Sequence, residues 1–187
     1  MSDMETRRYF VAVAARDAVD AAIAGGYVEI NHGKAGPLER MRDGDGIAYY
    51  SPRTAADGEA LQAFTALGYV CGNALYQAGG AAAGDDASAR AAEVDASARP
   101  GVDDASARPF RRAARYEPAQ PAPIRPMIDS LAFIRSKSHW GAPLRFGFLQ
   151  VSVADFACIA GAMGCATHGA TGCAQEAPCR TTQDAVG

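Results

Sequence analysis

The sequence predicts one α+β domain in which five or six short strands curl into a β-barrel, flanked by two or three helices. Short stretches rich in valine, isoleucine and aromatic residues are separated by glycine, proline and aspartate, which is typical of strands joined by turns. Helical patterns follow the first and the last of these stretches. The chain has 187 residues, of which 49% are hydrophobic, so one domain with a buried core is expected.

Five elements are predicted in the N-terminal part of the chain. An alanine-rich segment after the first strand predicts a helix that stops at Gly25-Gly26. The third strand is expected to end at Ser51-Pro52, because proline cannot donate to a strand ladder. The predicted elements are a strand at 9–13, a helix at 16–24, a strand at 27–30, a helical turn at 37–41 and a strand at 47–50.

Five further elements follow. Gly68 falls within one predicted strand, which indicates a bulge or a close backbone approach there. Ser152 and Asp155 have the spacing of a capping box, which predicts the start of the last helix. The predicted elements are a strand at 61–71, a strand at 110–116 with its arginines exposed, a short helix at 127–134, a strand at 144–151 and a helix to about residue 163.

The pentapeptide DASAR occurs three times, at 86–90, 95–99 and 104–108. The segment 78–108 around these repeats contains no aromatic residue, so it has too little apolar area to offset the entropy of ordering it. We therefore expect a domain at 7–163 that is interrupted by a disordered insertion at 78–108. The segment 164–187 has no periodicity and is expected to be a disordered tail.

The formal net charge of −3 is unevenly distributed, since residues 109–164 carry seven basic and three acidic side chains. This local excess permits a basic face within an acidic chain. The apolar stretches are shorter than a membrane span, and the acidic N-terminus lacks a signal pattern. Five cysteines, an odd number, argue against a disulfide framework. A cytoplasmic protein without a membrane span is expected.

Several short motifs occur in the order found in EVE domains, a family that the chain therefore resembles over residues 7–77 and 109–163. The motifs include Tyr9-Phe10-Val11, His32-Gly33-Lys34, Tyr49-Tyr50-Ser51-Pro52, Leu61-Gln62-Ala63-Phe64, Pro123-Ile124-Arg125-Pro126 and His139-Trp140-Gly141. The resemblance implies the PUA-like fold, a small mixed β-barrel shared with YTH and ASCH domains. It also implies a non-catalytic module that binds DNA or RNA carrying a modified base. EVE domains often have tryptophan where this chain has Phe10, which implies a differently shaped aromatic wall.

The candidate ligand residues are those whose chemistry suits a planar base on a nucleic-acid backbone. Trp140, the only tryptophan, lies in a polar stretch and is the expected stacking platform. Ser51 ends a strand and is expected to hydrogen-bond the base edge. Further base-binding candidates are Tyr50, Pro52, His32, Gly33, Lys34 and Phe10, although the alternation of Phe10 with its strand neighbours favours a core position. The phosphate candidates are Lys137, Arg125 and Arg145.

Other kinds of chemistry find little support in the sequence. No nucleophile elbow, Walker A loop or dinucleotide fingerprint is present, so neither a catalytic residue nor a cofactor is expected. The spacing of Cys165, His168, Cys173 and Cys179 fits no zinc motif, so no metal site is expected. The alternative function is an enzyme or a small-molecule-binding module that acts on a nucleotide-like ligand in the same pocket. A further alternative is an interaction module in which the barrel binds a small molecule or a protein and the 78–108 segment regulates access to it.

Overall fold

The computed structural model describes residues 7–30, 33–79 and 108–165. The strands are β1 (Tyr9–Val13), β2 (Tyr27–Val28), β3 (Gly46–Arg53), β4 (Ala60–Gln77), β5 (Phe110–Tyr116), β6 (Ala122–Pro123) and β7 (Phe148–Val151). The helices are α1 (Arg16–Gly25), α2 (Ala35–Glu39) and α3 (Val153–Ala162), with two 3-10 turns at Arg125–Met127 and Pro143–Phe146. The disorder predicted for the insertion and the tail concerns residues that lie outside these ranges, apart from Ala78, Gly79, Arg108, Gly164 and Cys165.

The seven strands belong to one mixed sheet in the order β2-β5-β4-β3-β1-β7, and β6 pairs with β4. β1 and β3 are parallel, while each of the other pairs is antiparallel. The predicted α+β class is confirmed. The strand count exceeds the predicted five or six because the two-residue strand β6, which was not predicted, also joins the sheet.

Both faces of the central strands are buried, and each face has its own core. Val11 and Tyr50 belong to the core that also contains Phe156 of α3, which is called the α3-side core below. Phe10 and Tyr49 belong to the other core, called the α1-side core. Neighbouring residues of a strand point to opposite faces, so adjacent positions of β1 and of β3 divide between the two cores.

The buried carboxylate of Asp45 holds the start of β1 against the turn that precedes β3. Its Oδ1 accepts a hydrogen bond from the backbone N–H of Arg8 at 3.0 Å, and its Oδ2 accepts from Arg8 Nη2 at 2.8 Å and from the backbone N–H of Arg42 at 2.9 Å. The main chain of Asp45 accepts in addition from the backbone N–H of Val70 on β4 at 2.9 Å. One residue therefore ties three strands together at one end of the sheet.

β4 pairs with β3 over residues 60–69, and two bulges interrupt this pairing. Tyr49 pairs with Ala66 and Tyr50 with Phe64, so that Thr65 is the extra residue of the first bulge. This extra residue explains how Phe64 and Ala66 come to face different cores.

The second bulge lies where Pro52 of β3 stands opposite two residues of β4, Leu61 and Gln62. The ladder is interrupted here, so no carbonyl group of β4 depends on the N–H that Pro52 lacks. The prediction that β3 ends at Ser51-Pro52 is therefore wrong, because the strand continues to Arg53.

Two predicted elements in the C-terminal part are wrong. Residues 127–134 form turns instead of a helix: Met127, Leu131 and Ile134 are buried at helical spacing, but separate turns achieve that burial. The strand predicted at 144–151 begins only at Phe148, because Pro143–Phe146 is a 3-10 turn that ends at Gly147 with φ of +74°.

β5 has the predicted limits, but its arginines are not all exposed. Arg112 is 5% exposed and donates from Nη1 to the carbonyl oxygen of Met41 at 2.6 Å. Burial lowers the pKa of this guanidinium. The close approach predicted at Gly68 is confirmed, because a Cβ there would lie 2.5 Å from the carbonyl oxygen of Arg115 on β5.

The capping box at the start of α3 is confirmed. The Ser152 hydroxyl accepts from the backbone N–H of Asp155 at 3.1 Å, and the backbone N–H of Ser152 donates to Asp155 Oδ2 at 3.3 Å. Asp155 also accepts from the backbone N–H of Ala132 at 2.6 Å, so the cap fastens the preceding turns to α3.

We predict that Asp45→Asn lowers the free energy of unfolding by ~1–3 kcal/mol, because in either orientation the amide N–H₂ replaces a buried oxygen that accepts at least one hydrogen bond. Denaturant unfolding followed by circular dichroism measures the change. Asp20→Asn is the matched control, since Asp20 forms an exposed ion pair with Arg16 on α1 and such pairs contribute ~0–1 kcal/mol. Equal losses in the two variants would contradict the role assigned to Asp45.

Candidate functional site

Trp140 lies in the turns between residues 136 and 142 and is only partly exposed. It packs against the α3-side core, and its ring meets Tyr50 of β3 edge-on, with 6.5 Å between ring centroids and 82° between planes. Tyr50 in turn meets Phe64 of β4 edge-on at 5.8 Å. The indole is thus supported from the sheet while part of it remains accessible from outside.

A surface depression of about 290 Å³ lies beside the indole. Its lining residues, which define the Trp140 depression, are Ser138, His139, Trp140, Gly141, Ala142 and Arg145. The volume is near the lower limit of ligand pockets, which hold roughly 300–1,000 Å³. The depression suits one small planar group rather than a large ligand.

Arg125 stands over the indole, with Cζ 5.9 Å from the ring centroid, an arrangement that favours a cation–π attraction. Its Nε donates a hydrogen bond to Oε1 of Gln62 at 3.2 Å. Burial raises the pKa of the nearby Tyr50 hydroxyl, and the positive charge of Arg125 partly opposes that rise. Arg125 therefore connects the start of β4 with the aromatic pair of Tyr50 and Trp140.

Gln62 has a backbone φ of +52°, and it is the only non-glycine residue with positive φ among the described residues. This conformation is disfavoured for glutamine and typically costs ~1–3 kcal/mol. Gln62 occupies the second bulge of β4, a position at which glycine is usual when the backbone is left-handed. Gln62 has no predicted role, because nothing in the sequence around it reveals a left-handed backbone at this position.

Ser51 is fully buried, and its hydroxyl shares a hydrogen bond of 2.7 Å with the hydroxyl of Thr65. Thr65 is the extra residue of the first bulge, so this bond joins β3 and β4 where their ladder is irregular. The structure does not bring Ser51 to the Trp140 depression. Pro52 lies next to it in the second bulge and is partly exposed.

The sequence as a whole matches a known family. A model of the EVE domain matches residues 8–162. The chain belongs to the EVE domain family. The resemblance noted from its motifs is thereby confirmed.

Several relatives are similar to this EVE domain along most of its length. UPF0310 protein msl3206 of Mesorhizobium japonicum is 38% identical over 157 residues, which cover 83% of this chain and 91% of the relative. A UPF0310 protein of Mycobacterium avium is 35% identical over 155 residues, with 82% and 96% covered. The NMR structure of Rpa0253 from Rhodopseudomonas palustris aligns over 84% of this chain and 93% of that chain, at 13% identity and a TM-score of 0.47.

Phe10 and Trp140 lie on opposite faces of the sheet in this EVE domain. Phe10 is 2% exposed, belongs to the α1-side core and stacks on Phe148 at 5.0 Å and 11°. It borders a different depression, of about 330 Å³, whose other lining residues are Arg8, Glu39, Arg40, Arg42, Phe148, Leu149 and Gln150. The two aromatic side chains therefore do not form walls of one slot.

Of the His32-Gly33-Lys34 motif, His32 is outside the described residues, and Gly33 and Lys34 lie away from the Trp140 depression. Gly33 has φ of +78°, and a Cβ there would meet Pro109 at 2.2 Å, so close packing against the start of β5 accounts for glycine. Lys34 is exposed and precedes α2. Neither Gly33 nor Lys34 lines the Trp140 depression.

The three basic residues predicted to contact phosphate differ in their surroundings. Arg145 is exposed and lines the Trp140 depression, and Arg125 is exposed above the indole. The ammonium group of Lys137 forms an ion pair with Asp129, and both side chains are exposed. Arg145 and Arg125 are thus the basic groups nearest to Trp140 among these three candidates.

Two general features of the described residues bear on the kind of protein. None of the helices in these ranges has the length and apolar character needed to cross a bilayer. Within the same ranges, no three histidine, cysteine, aspartate or glutamate side chains are grouped as a metal site would require.

Proposed function

We propose that this EVE domain is a non-catalytic nucleic-acid-binding module that holds a modified base against Trp140. The observation that carries the proposal is the partly exposed indole beside the Trp140 depression, supported from below by Tyr50. A tryptophan enclosed in a solid core would have no space for a ligand. The modified base is the ligand class implied by the resemblance to other base-reading PUA-like domains.

Stacking on one aromatic ring does not supply enough free energy to bind an extruded base. Stacking a base on an aromatic side chain contributes ~1–3 kcal/mol. Extruding a base from a duplex costs a few kcal/mol, and less from a single strand. The ring alone about balances that cost, so contacts with phosphate and with the base edge must supply the net affinity.

The basic groups near the indole can supply the phosphate contacts. Arg125 and Arg145 are both exposed, and they belong to the segment 109–164 that carries the excess of positive charge in an otherwise acidic chain. A buried methyl group adds only about 0.8 kcal/mol, or roughly fourfold in affinity. Discrimination for a modified base therefore depends on the shape of the depression and not on its apolar area alone.

We predict that Trp140→Ala weakens binding of a methylated or hydroxymethylated oligonucleotide by ~1–3 kcal/mol, because the stacking surface is lost. Fluorescence anisotropy at low salt, with unmodified oligonucleotides alongside, measures the change. Circular dichroism checks that the variant is folded, and Trp140→Phe, which keeps a ring, is expected to retain part of the affinity.

The control for Trp140→Ala is Tyr76→Ala, since Tyr76 is a partly exposed aromatic residue at the opposite end of β4 from Gln62. This variant is expected to bind like the wild type. Two results would exclude the proposed function. One is that Trp140→Ala binds the modified oligonucleotides as tightly as the wild type does. The other is that the wild type binds no modified oligonucleotide more tightly than the unmodified one.

We predict that Arg145→Ala reduces the salt dependence of binding. Loss of one phosphate contact lowers the slope of log K against log salt by ~0.7 for a single strand. Arg16→Ala is the matched control, because Arg16 lies on α1 and pairs with Asp20. If the slope changes equally in both variants, Arg145 does not contact phosphate.

An enzyme that uses the same depression is the second candidate, and one contact favours it. Ser138 Oγ lies 3.2 Å from Nδ1 of His139, and both residues line the depression. A hydroxyl beside an imidazole is the minimal arrangement for an activated nucleophile. Incubation with a library of nucleotides tests this candidate: turnover that His139→Ala abolishes would establish it, and no turnover would dismiss it.

A further inference from the structure

Gln62 has a left-handed backbone at a bulge of β4, which indicates a role for its side chain. The second bulge of β4 leaves Leu61 and Gln62 opposite Pro52 alone, and Gln62 adopts φ of +52° there. Bulges of this kind are frequent next to binding sites, where they re-aim a side chain. Glycine would adopt this conformation without strain. We therefore expect the glutamine side chain to have a role that offsets the cost of the strained backbone.

The main chain of Gln62 also positions Arg125. The carbonyl oxygen of Gln62 accepts from the backbone N–H of Ile124 at 3.0 Å, and the next residue of β4, Ala63, pairs with Pro123 of β6. Arg125 follows directly, and its Nε reaches back to Gln62 Oε1. The two side chains therefore form one unit, called the Gln62–Arg125 pair below, which approaches the indole of Trp140 through Arg125.

The hydrogen bond within the pair determines which groups face a ligand. A guanidinium has five N–H donors and no acceptor, so the atom of Gln62 that faces Arg125 Nε must be the amide oxygen. The amide nitrogen of Gln62, with two N–H groups, then points away from that bond. Among the described residues, no other hydrogen bond engages either side chain. Apart from the second lone pair of Gln62 Oε1, the free hydrogen-bonding groups of the pair are therefore all N–H donors.

We infer that the Gln62–Arg125 pair reads the edge of the bound base and selects bases with two adjacent hydrogen-bond acceptors. This inference rests on the proposed function, and it names the base class that the same site takes. Cytosine offers O2 and N3, and guanine offers O6 and N7, as adjacent acceptors. Thymine has an N–H between its carbonyl groups, and adenine has an amino group beside each ring acceptor on those edges.

The test uses single-stranded oligonucleotides that differ only in one central base, and anisotropy titrations at low salt. The central bases are cytosine, 5-methylcytosine, thymine, guanine, 7-deazaguanine and N6-methyladenine. Wild-type protein is expected to bind the cytosine, 5-methylcytosine and guanine probes at least about fivefold more tightly than the other three. The 7-deazaguanine probe lacks only the N7 acceptor, so its loss of affinity reports that acceptor directly.

Gln62→Glu is the decisive variant, because it keeps the side-chain length and the bond with Arg125 but turns the amide donor into an acceptor. We expect it to lose the preference among the six probes. Gln120→Glu is the matched control, since Gln120 is exposed and the charge change is the same. It is expected to keep the preference.

Gln62→Gly separates a reading role from a structural one. Glycine adopts positive φ without strain, so this variant is expected to melt at or above the wild-type temperature while losing the preference. A melting temperature well below that of the wild type would show that Gln62 serves stability, which overturns the inference.

The outcomes distinguish the inference from the proposed function. A wild-type preference for modified oligonucleotides that Trp140→Ala weakens, but without a preference for bases with two adjacent acceptors or with that preference kept in Gln62→Glu, overturns the inference and leaves the function standing. Absence of binding to all six probes overturns both.

Discussion

The carboxylate of Asp45 is the constraint on which the rest of the sheet depends. Parallel strands cannot be joined by a tight hairpin, so the pairing of β1 with β3 must be specified by contacts that are distant along the chain. Asp45 supplies such contacts: it binds the backbone and the guanidinium of Arg8, closes its own turn through Arg42, and accepts from β4 with its carbonyl group. The register of β3 that follows from this clamp places Tyr50 on the α3-side face, beneath Trp140.

The long strand β4 shows how local preference yields to tertiary packing near the candidate site. Thr65 and Gln62 are extra residues that a regular ladder would exclude, yet each has a partner: Thr65 bonds to the buried Ser51, and Gln62 bonds to Arg125. The first bond satisfies two hydroxyls inside the protein, where an unpaired polar group costs ~1–3 kcal/mol. The second bond lies at the surface, where it adds little stability, so the strained backbone of Gln62 is better explained by its contact with Arg125, which stands over the indole, than by packing.

The two faces of the sheet divide residues that the sequence analysis grouped together. Phe10 faces the α1-side core and Trp140 packs on the α3-side core, although both were candidates for one aromatic slot. Ser51 ends buried against Thr65, and the loop motif at Gly33 serves close packing against Pro109. What remains around the indole is a smaller set of groups, with Tyr50 below, Arg125 above and Arg145 at the rim.

The sequence by itself determined the class of fold, the limits of β1 and β5, the start of α1, the capping box at Ser152 and the close approach at Gly68, because each depends on short-range patterns or on a single residue's special geometry. It also identified the family and singled out Trp140. Only the tertiary structure decided that 127–134 forms turns, that Arg112 is buried, that β3 runs through Pro52 and that Gln62 stands beside Arg125. These features depend on which strand lies opposite and on where a bulge falls, and such long-range pairing leaves no periodic trace in the order of residues.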